Sequence, residues 1–343
     1  MARIAIIGLG LIGGSLGLAL KRSRLKDVDI VGYSRTRETR EKARRAGAID
    51  RAASDVQDAV RDAAIVVIAT PILIIPTTME DMAPVLPHDC VVTDVASTKA
   101  EVMRWAGELL PKNVHFVGGH PMAGKEQSGI DAADAALFQG KPYCVVPSVG
   151  ANETAVNAVV GLADLVGASP VFMDAEEHDS YVAAVSHLPL VVSAALFSLV
   201  RDSSAWPEMS QLASSGFRDV TRLASGSPEM SEDISLTNGE NIIHWLDRMI
   251  AEIRKYRELI KSDNEEALFK AFARIKLERD MFLTTGAVPR RAQPSAETAI
   301  GLSDLLVGHW AASRSREVMK AMEKQAPPSR GDRPPRRRPT RER

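Results

Sequence analysis

The sequence predicts an α/β protein, a doubly wound Rossmann-type dinucleotide-binding domain followed by an all-α domain. Three observations lead there. Short β-branched runs alternate with helical stretches from the first residues to about Asp174. A glycine-rich turn separates the first run from the first helix. Beyond Asp174 the alternation gives way to an almost continuous helical pattern. The expected parts are residues 1–174, residues 175–286, and a C-terminal extension over 287–343.

The first run, RIAIIG, leads into Gly8-Leu9-Gly10-Leu11-Ile12-Gly13, and an apolar helical segment, SLGLALKR, follows. In that setting GxGxxG has a mechanism: Gly8 permits the tight turn, Gly10 lets the backbone approach a pyrophosphate, and Gly13 lets helix and strand pack closely. The helix begins around Leu11 and Ile12, and its amides and dipole favour the phosphates. The next strand, DIVGYSR, ends where an acidic residue would bind the adenosine ribose of NAD. Here Ser34 and Arg35 stand instead, with Thr36 and Arg37 behind. A guanidinium pairs with a 2′-phosphate and no carboxylate repels one, so NADP is expected over NAD. The competing explanation is that Arg35 and Arg37 only open the solvated helix RTRETREKARRAG.

Further strands are expected at AAIVVIATP, DCVVTDVAS, VHFVGG, KPYCVVPS and PVFMD. Thr70-Pro71 ends the first of these at the carboxyl edge, where cofactors lie in open α/β sheets. Ser97 is placed to cap the helix TKAEVMRWAGELL, and from the same edge to hydrogen-bond His120 or a substrate hydroxyl. Gly118-Gly119-His120-Pro121-Met122-Ala123-Gly124 follows the fifth expected strand. Glycines and proline around a histidine imply a short, open turn presenting a proton acceptor. The plainer alternative is a histidine that caps a helix or fills a loop.

In the helical part, Glu176-Glu177-His178-Asp179 opens the apolar segment YVAAVSHLPLVVSAALFSLV. Its length approaches a membrane span. His187, Pro189, three serines and close flanking charges argue instead for a helix buried in a helical domain or dimer. Pro189 should crowd the carbonyl of Val185 and bend the helix beside Ser186 and His187, making a pocket wall. A hydrogen-bonded core histidine is the alternative for His187. In SSGFRDVTRLASGSPEM, Arg218 and Arg222 share a helix face and suit an acidic ligand, unless they are only solvated.

Composition narrows the partners. At 343 residues, 45% hydrophobic, 25% charged and net charge −1, the chain reads as a soluble protein. Nothing global points to nucleic acid or a membrane surface. Cys90 and Cys144 lie in apolar strands, so buried thiols in a reducing cytoplasm are expected, without disulfide or metal cluster. The N-terminus shows no signal-peptide pattern. Near the C-terminus, ETAIGLSDLLVGHW suggests a short helix and PPSRGDRPPRRRPTRER a disordered basic tail.

Taken together, GLGLIG, TDVASTK, GGHPMAG with GIDAA, the SHLP helix and GFRDVTR with SPEM resemble the prephenate/arogenate dehydrogenases of tyrosine biosynthesis over about residues 1–285. The resemblance implies oxidative decarboxylation of prephenate to 4-hydroxyphenylpyruvate, or of arogenate to tyrosine, with hydride passing to NAD(P), in a homodimer joined through the helical domains. It implies that His120 accepts the ring hydroxyl's proton, that Ser97 orients it, that Arg222 holds a substrate carboxylate, and that Ser186 and His187 line the pocket. Two positions depart from some members: Leu190 replaces the second histidine of HLPH, and Ser231 replaces a tryptophan. With Ser34-Arg35, these bring the chain nearer to NADP-linked arogenate or dual-specificity members. Two rival readings are an NADP-linked dehydrogenase of the β-hydroxyacid type, which would use a lysine in its helical domain, and a non-catalytic NADP sensor, which would have lost His120 or Arg222.

Overall fold

The computed structural model describes residues 2–23 and 28–286, so both expectations for the C-terminal extension lie outside the described residues. Strands β1 (Ala2–Ile7), β2 (Val28–Tyr33), β3 (Arg51–Ala52), β4 (Ile65–Ile68), β5 (Val91–Asp94), β6 (His115–Pro121), β7 (Pro142–Pro147) and β8 (Ser169–Phe172) form one sheet. Their order is β3-β2-β1-β4-β5-β6-β7-β8. Every neighbouring pair is parallel except β6 with β7. The carboxyl ends of β1, β4, β5 and β6 therefore emerge along one edge. Strand β3 was not foreseen, because two residues are too few to show a period.

Helices cover both faces. Alternate residues of β1 belong to different cores: Ile4 and Ile6 pack with Leu16 and Leu20 of α1 (Leu11–Arg22) and Val159 and Leu162 of α6 (Glu153–Leu165), whereas Ala5 and Ile7 face the other way. That second core holds Ile75 and Met79 of α4 (Ile75–Met82) and Val102 of α5 (Ala100–Leu109). The remaining crossover helices are α2 (Arg37–Arg45) and α3 (Val56–Val60).

The helical part comprises α7 (Ala175–Val182), a π-helical turn over Ala183–His187, α8 (Leu188–Arg201), α9 (Trp206–Leu212), α10 (Ser215–Thr221), α11 (Pro228–Thr237), α12 (Gly239–Lys261) and α13 (Glu265–Thr285). Pro189 stands in the first turn of α8, where its missing amide costs little, and a π-helical turn occupies the residues just before it. Ala183, Ile234 and Ile242 belong to the same core as Ile7 and Met79. The first compact unit accordingly runs past Asp174 to Ser262, and a second begins at Asp263. The stretch Ala175–Arg201 is long and apolar enough to cross a membrane by length and composition alone. It also carries buried polar side chains with protein partners. The Ser193 hydroxyl accepts from the Ala224 amide at 3.0 Å, and His178, Asp179 and His187 are all buried. Cys90 and Cys144 are buried free thiols, and burial pushes Cys90 up to about 12.

The GGHPMAG stretch corrects the expectation of an open turn. His120 and Pro121 belong to β6, paired with Cys144 and Tyr143 of β7, and His120 is 8% exposed. The glycines serve close packing here. A Cβ on Gly119 would stand 2.5 Å from the Asp94 carbonyl oxygen and 2.7 Å from the Tyr143 hydroxyl, and one on Gly118 would stand 2.9 Å from Met103 sulfur. Gly119→Ala is therefore expected to lower stability by about 1–3 kcal/mol, read as the shift in a urea unfolding midpoint. An unchanged midpoint would show that β5 and β6 separate freely.

Candidate active site

The turn between β1 and α1 has the form that a dinucleotide needs. Gly8 adopts φ +103°, and a Cβ there would lie 2.3 Å from the Ala69 carbonyl oxygen. A Cβ on Gly13 would lie 1.9 Å from the Gly8 carbonyl oxygen, so any side chain would push α1 off the strand. Gly10 has nothing within 4 Å of its Cβ position, leaving the backbone open to a phosphate. No side chain caps α1, whose first residues are Leu11 and Ile12.

At the end of β4, the Thr70 hydroxyl is buried without a partner among the described residues. Thr70, Pro71 and Ile12 line a cleft of about 150 Å³ together with Ser97, Met230 and Asp233. Helix α11 closes over this edge: Asp233 accepts the Leu73 amide at 3.3 Å, and the Thr98 and Thr237 hydroxyls are 2.9 Å apart. Beyond β2, Thr36 caps α2, Arg37 pairs with Glu41, and Arg40 donates to the Ser34 carbonyl at 2.6 Å while lying over the Tyr33 ring. Arg35 stands exposed ahead of the helix, and no acidic side chain among the described residues pairs with it.

Among the described residues Ser97 makes neither of the two bonds expected of it. The N-terminal amides of α5 are taken by Asp179, whose Oδ1 accepts from Lys99 N at 2.7 Å and whose Oδ2 accepts from Ala100 N at 2.8 Å. The residue at the helix cap is Lys99, two positions beyond Ser97, so the serine side chain is out of register with those amides. Among the described residues His120 bonds His178 rather than Ser97, with 2.8 Å between His120 Nδ1 and His178 Nε2. His178 Nδ1 in turn lies 2.7 Å from Asp179 Oδ1. Beneath them Lys99 Nζ and Asp94 Oδ2 form a fully buried ion pair. Asp94 also accepts from Ala96 N at 2.8 Å and Gly119 N at 3.1 Å, tying the end of β5 to the residue before His120. Removing one partner of such a pair costs roughly 3–5 kcal/mol.

His187, in the π-turn, joins the same cluster. Its Nδ1 lies 3.1 Å from Asn238 Nδ2, which also donates to the Asp179 carbonyl at 2.8 Å, and its Nε2 is buried without a partner among the described residues. Neighbouring Ser186 is half-buried. Arg222 opens a 3₁₀ turn after α10 and pairs with Glu126, six residues beyond His120, so this guanidinium already holds a carboxylate. Burial first, then the His178, Lys99 and His187 charges, holds His120 well below 6.5. Burial also takes His187 down to about 4. Sequence reasoning missed His178, Asp179, Asn238 and the Asp94–Lys99 pair. A signal existed: Asp174 already caps α7, so Asp179 is a second carboxylate which that helix does not need.

A dinucleotide turn, a cleft at the carboxyl edge and a buried neutral imidazole above a helical part define an NAD(P)-dependent dehydrogenase. A family model for the prephenate dehydrogenase nucleotide-binding domain matches residues 16–172, and one for the prephenate dehydrogenase dimerization domain matches residues 174–274. The chain belongs to the prephenate/arogenate dehydrogenase family. It is 38% identical to a Bacillus subtilis prephenate dehydrogenase over 83% of this chain and 78% of the relative. A Zymomonas mobilis cyclohexadienyl dehydrogenase is 35% identical over 81% of this chain and 96% of that one. Among solved structures, Aquifex aeolicus prephenate dehydrogenase with hydroxyphenyl propionate and NAD+ has TM-score 0.76 and 30% identity, covering 82% of this chain and 98% of that one. Synechocystis arogenate dehydrogenase has TM-score 0.70 and 31% identity, covering 82% and 99%.

Both buried imidazoles bind a proton more readily in the unfolded chain than in the folded one. Stability is therefore expected to fall as pH drops from about 6.5 toward 4, by roughly 3 kcal/mol from His187 alone. Urea titrations across that range check this, and a smaller drop is expected for His187→Gln. An equally steep drop in that variant would remove His187 from the account.

Proposed function

We propose that this chain oxidises and decarboxylates a cyclohexadienyl substrate, prephenate and/or arogenate, with NADP preferred over NAD, as a cytoplasmic homodimer. The observation that carries the reading is a neutral, buried His120 at the carboxyl edge of the sheet, on the strand beside the one whose end, at Ser97, lines the cleft with Thr70. In this reading nucleotide binding falls to residues 1–174 and substrate binding with dimerisation to 175–286.

His120 takes the proton of the ring hydroxyl at C4. As that proton leaves, the carbon gives up its hydride more readily, and loss of carbon dioxide then aromatises the ring. The dinucleotide, when bound, supplies the hydride acceptor. Ser97, at the end of the neighbouring strand, bonds the same hydroxyl. Arg222 exchanges Glu126 for a substrate carboxylate, which its observed pairing with a carboxylate supports. Ser186 and His187 form the wall at the π-turn. Leu190 packs against the core and offers no polar group, which favours arogenate or dual specificity over a strict prephenate preference. Leu199 (74% exposed), Leu236 (67%) and Ile243 (60%) leave apolar helix surface uncovered, which supports a partner copy there.

His120→Asn is expected to lower kcat at least about a hundredfold, with cofactor affinity nearly unchanged, when NADPH formation is followed with prephenate and arogenate side by side. Near wild-type turnover would exclude the base role. Arg35→Ala is expected to reduce kcat/KM for NADP by about 10- to 100-fold and to leave that for NAD unaltered. A wild-type preference for NAD would overturn the cofactor assignment.

A further inference from the structure

Asp179 and Asn238 lie side by side, each joined to one of two buried histidines, and the direction of every proton between them follows from the donors available. Both carboxylate oxygens of Asp179 only accept. Oδ1 takes the Lys99 amide and His178 Nδ1, and Oδ2 takes the Ala100 amide. The proton shared between His178 and Asp179 is therefore on Nδ1, which in the one-proton form of the ring leaves a lone pair on Nε2. That lone pair faces His120 Nδ1 at 2.8 Å, so His120 keeps its proton on Nδ1 and its Nε2 is bare.

The other branch has the opposite sense. The Asp179 carbonyl can only accept, which fixes the adjacent Asn238 group as the amide nitrogen. The Asn238 carbonyl oxygen accepts from Asn241 Nδ2 at 2.8 Å, as the same orientation requires. Asn238 Nδ2 thus donates to His187 Nδ1, and neutral His187 holds its proton on Nε2. That N–H is buried and has no partner among the described residues. An unpaired buried donor is costly unless an acceptor arrives.

We propose that Asp179 and Asn238 set opposite tautomers on the two imidazoles: His120 presents a bare Nε2 that takes the substrate's proton, and His187 presents an N–H that bonds a substrate oxygen. The assignment of that oxygen rests on the function proposed above. His178, Asp179 and Asn238 are positioning residues, acting only through His120 and His187. A carboxylate that holds an imidazole in its working tautomer, without itself taking the proton, is established in hydrolase triads. Here a second imidazole stands between the carboxylate and the base.

The direct test is nitrogen-15 NMR of the full-length protein labelled at histidine, near neutral pH, with His120→Gln and His187→Gln identifying the two rings. The expected spectrum has His120 protonated at Nδ1 and His187 at Nε2. The same tautomer on both rings, or the reverse pattern, overturns the proposal, whichever substrate the enzyme uses. Kinetics give a second test. His178→Leu, which removes the acceptor, is expected to lose about a hundredfold or more in kcat, with KM and cofactor affinity little changed. His178→Gln keeps a carbonyl acceptor for His120 Nδ1 and is expected to regain at least about tenfold of that loss. A leucine variant close to wild type, or a glutamine variant no better than leucine, would refute the relay. Asn238→Asp is expected chiefly to raise KM, and an unchanged KM would refute the His187 branch. If wild-type protein turned over neither prephenate nor arogenate, the proposed function would fall while the spectrum still decided the tautomers.

Discussion

The Asp179 carboxylate is the contact on which the rest of the site depends. It is 1% exposed, and a buried carboxylate persists only where every lone pair that matters has a donor. Those donors come from two places: the first amides of α5, which continue the sheet, and the ring of His178, which sits on α7. One residue thus satisfies a helix end, anchors the helical part to the sheet, and orients the imidazole bonded to His120. Breaking it would leave two helix amides, a histidine and a desolvated charge unpaired at once, so the joint and the active site stand or fall together.

Below it the strands are held unusually close. Asp94 bridges β5 to Gly119, Lys99 neutralises that carboxylate, and the absence of side chains at Gly118 and Gly119 lets Met103 and Tyr143 fill the space. The imidazole that follows is therefore carried on a rigid strand end rather than a loose turn. Rigidity suits a proton acceptor, because catalysis gains from a base that is already in place. The same burial that holds His120 still also strips its water and keeps it neutral, so position and protonation have a common cause.

Helices α7 to α12 are not an independent lobe hung from the sheet. Ala183, Ile234 and Ile242 complete one of the sheet's two cores, and α11 reaches the cofactor edge through Asp233 and Thr237. Its other faces remain strongly apolar. The division of each helix between an inward side that shapes the cleft and an outward side that needs cover explains why its sequence reads almost like a membrane span.

Short-range pattern was enough for the alternation of strands and helices, the glycine turn at Gly8–Gly13 and the buried cysteines, since each depends on rules acting over a few residues. Those signals also singled out His120 and placed Thr70 and Ser97 at the carboxyl edge. They erred over the setting of His120, because paired glycines beside a histidine look alike in an open turn and in a tightly packed strand, and only the neighbouring Asp94 and Tyr143 distinguish the two. They erred over Ser97 as a cap because Asp179, about eighty residues away, reaches those amides first. The partnership of His120 with His178, and the orientation of His187 by Asn238, were decided by tertiary structure alone: a hydrogen bond depends on where two groups meet in space, and no local periodicity records a meeting between segments so distant in the chain.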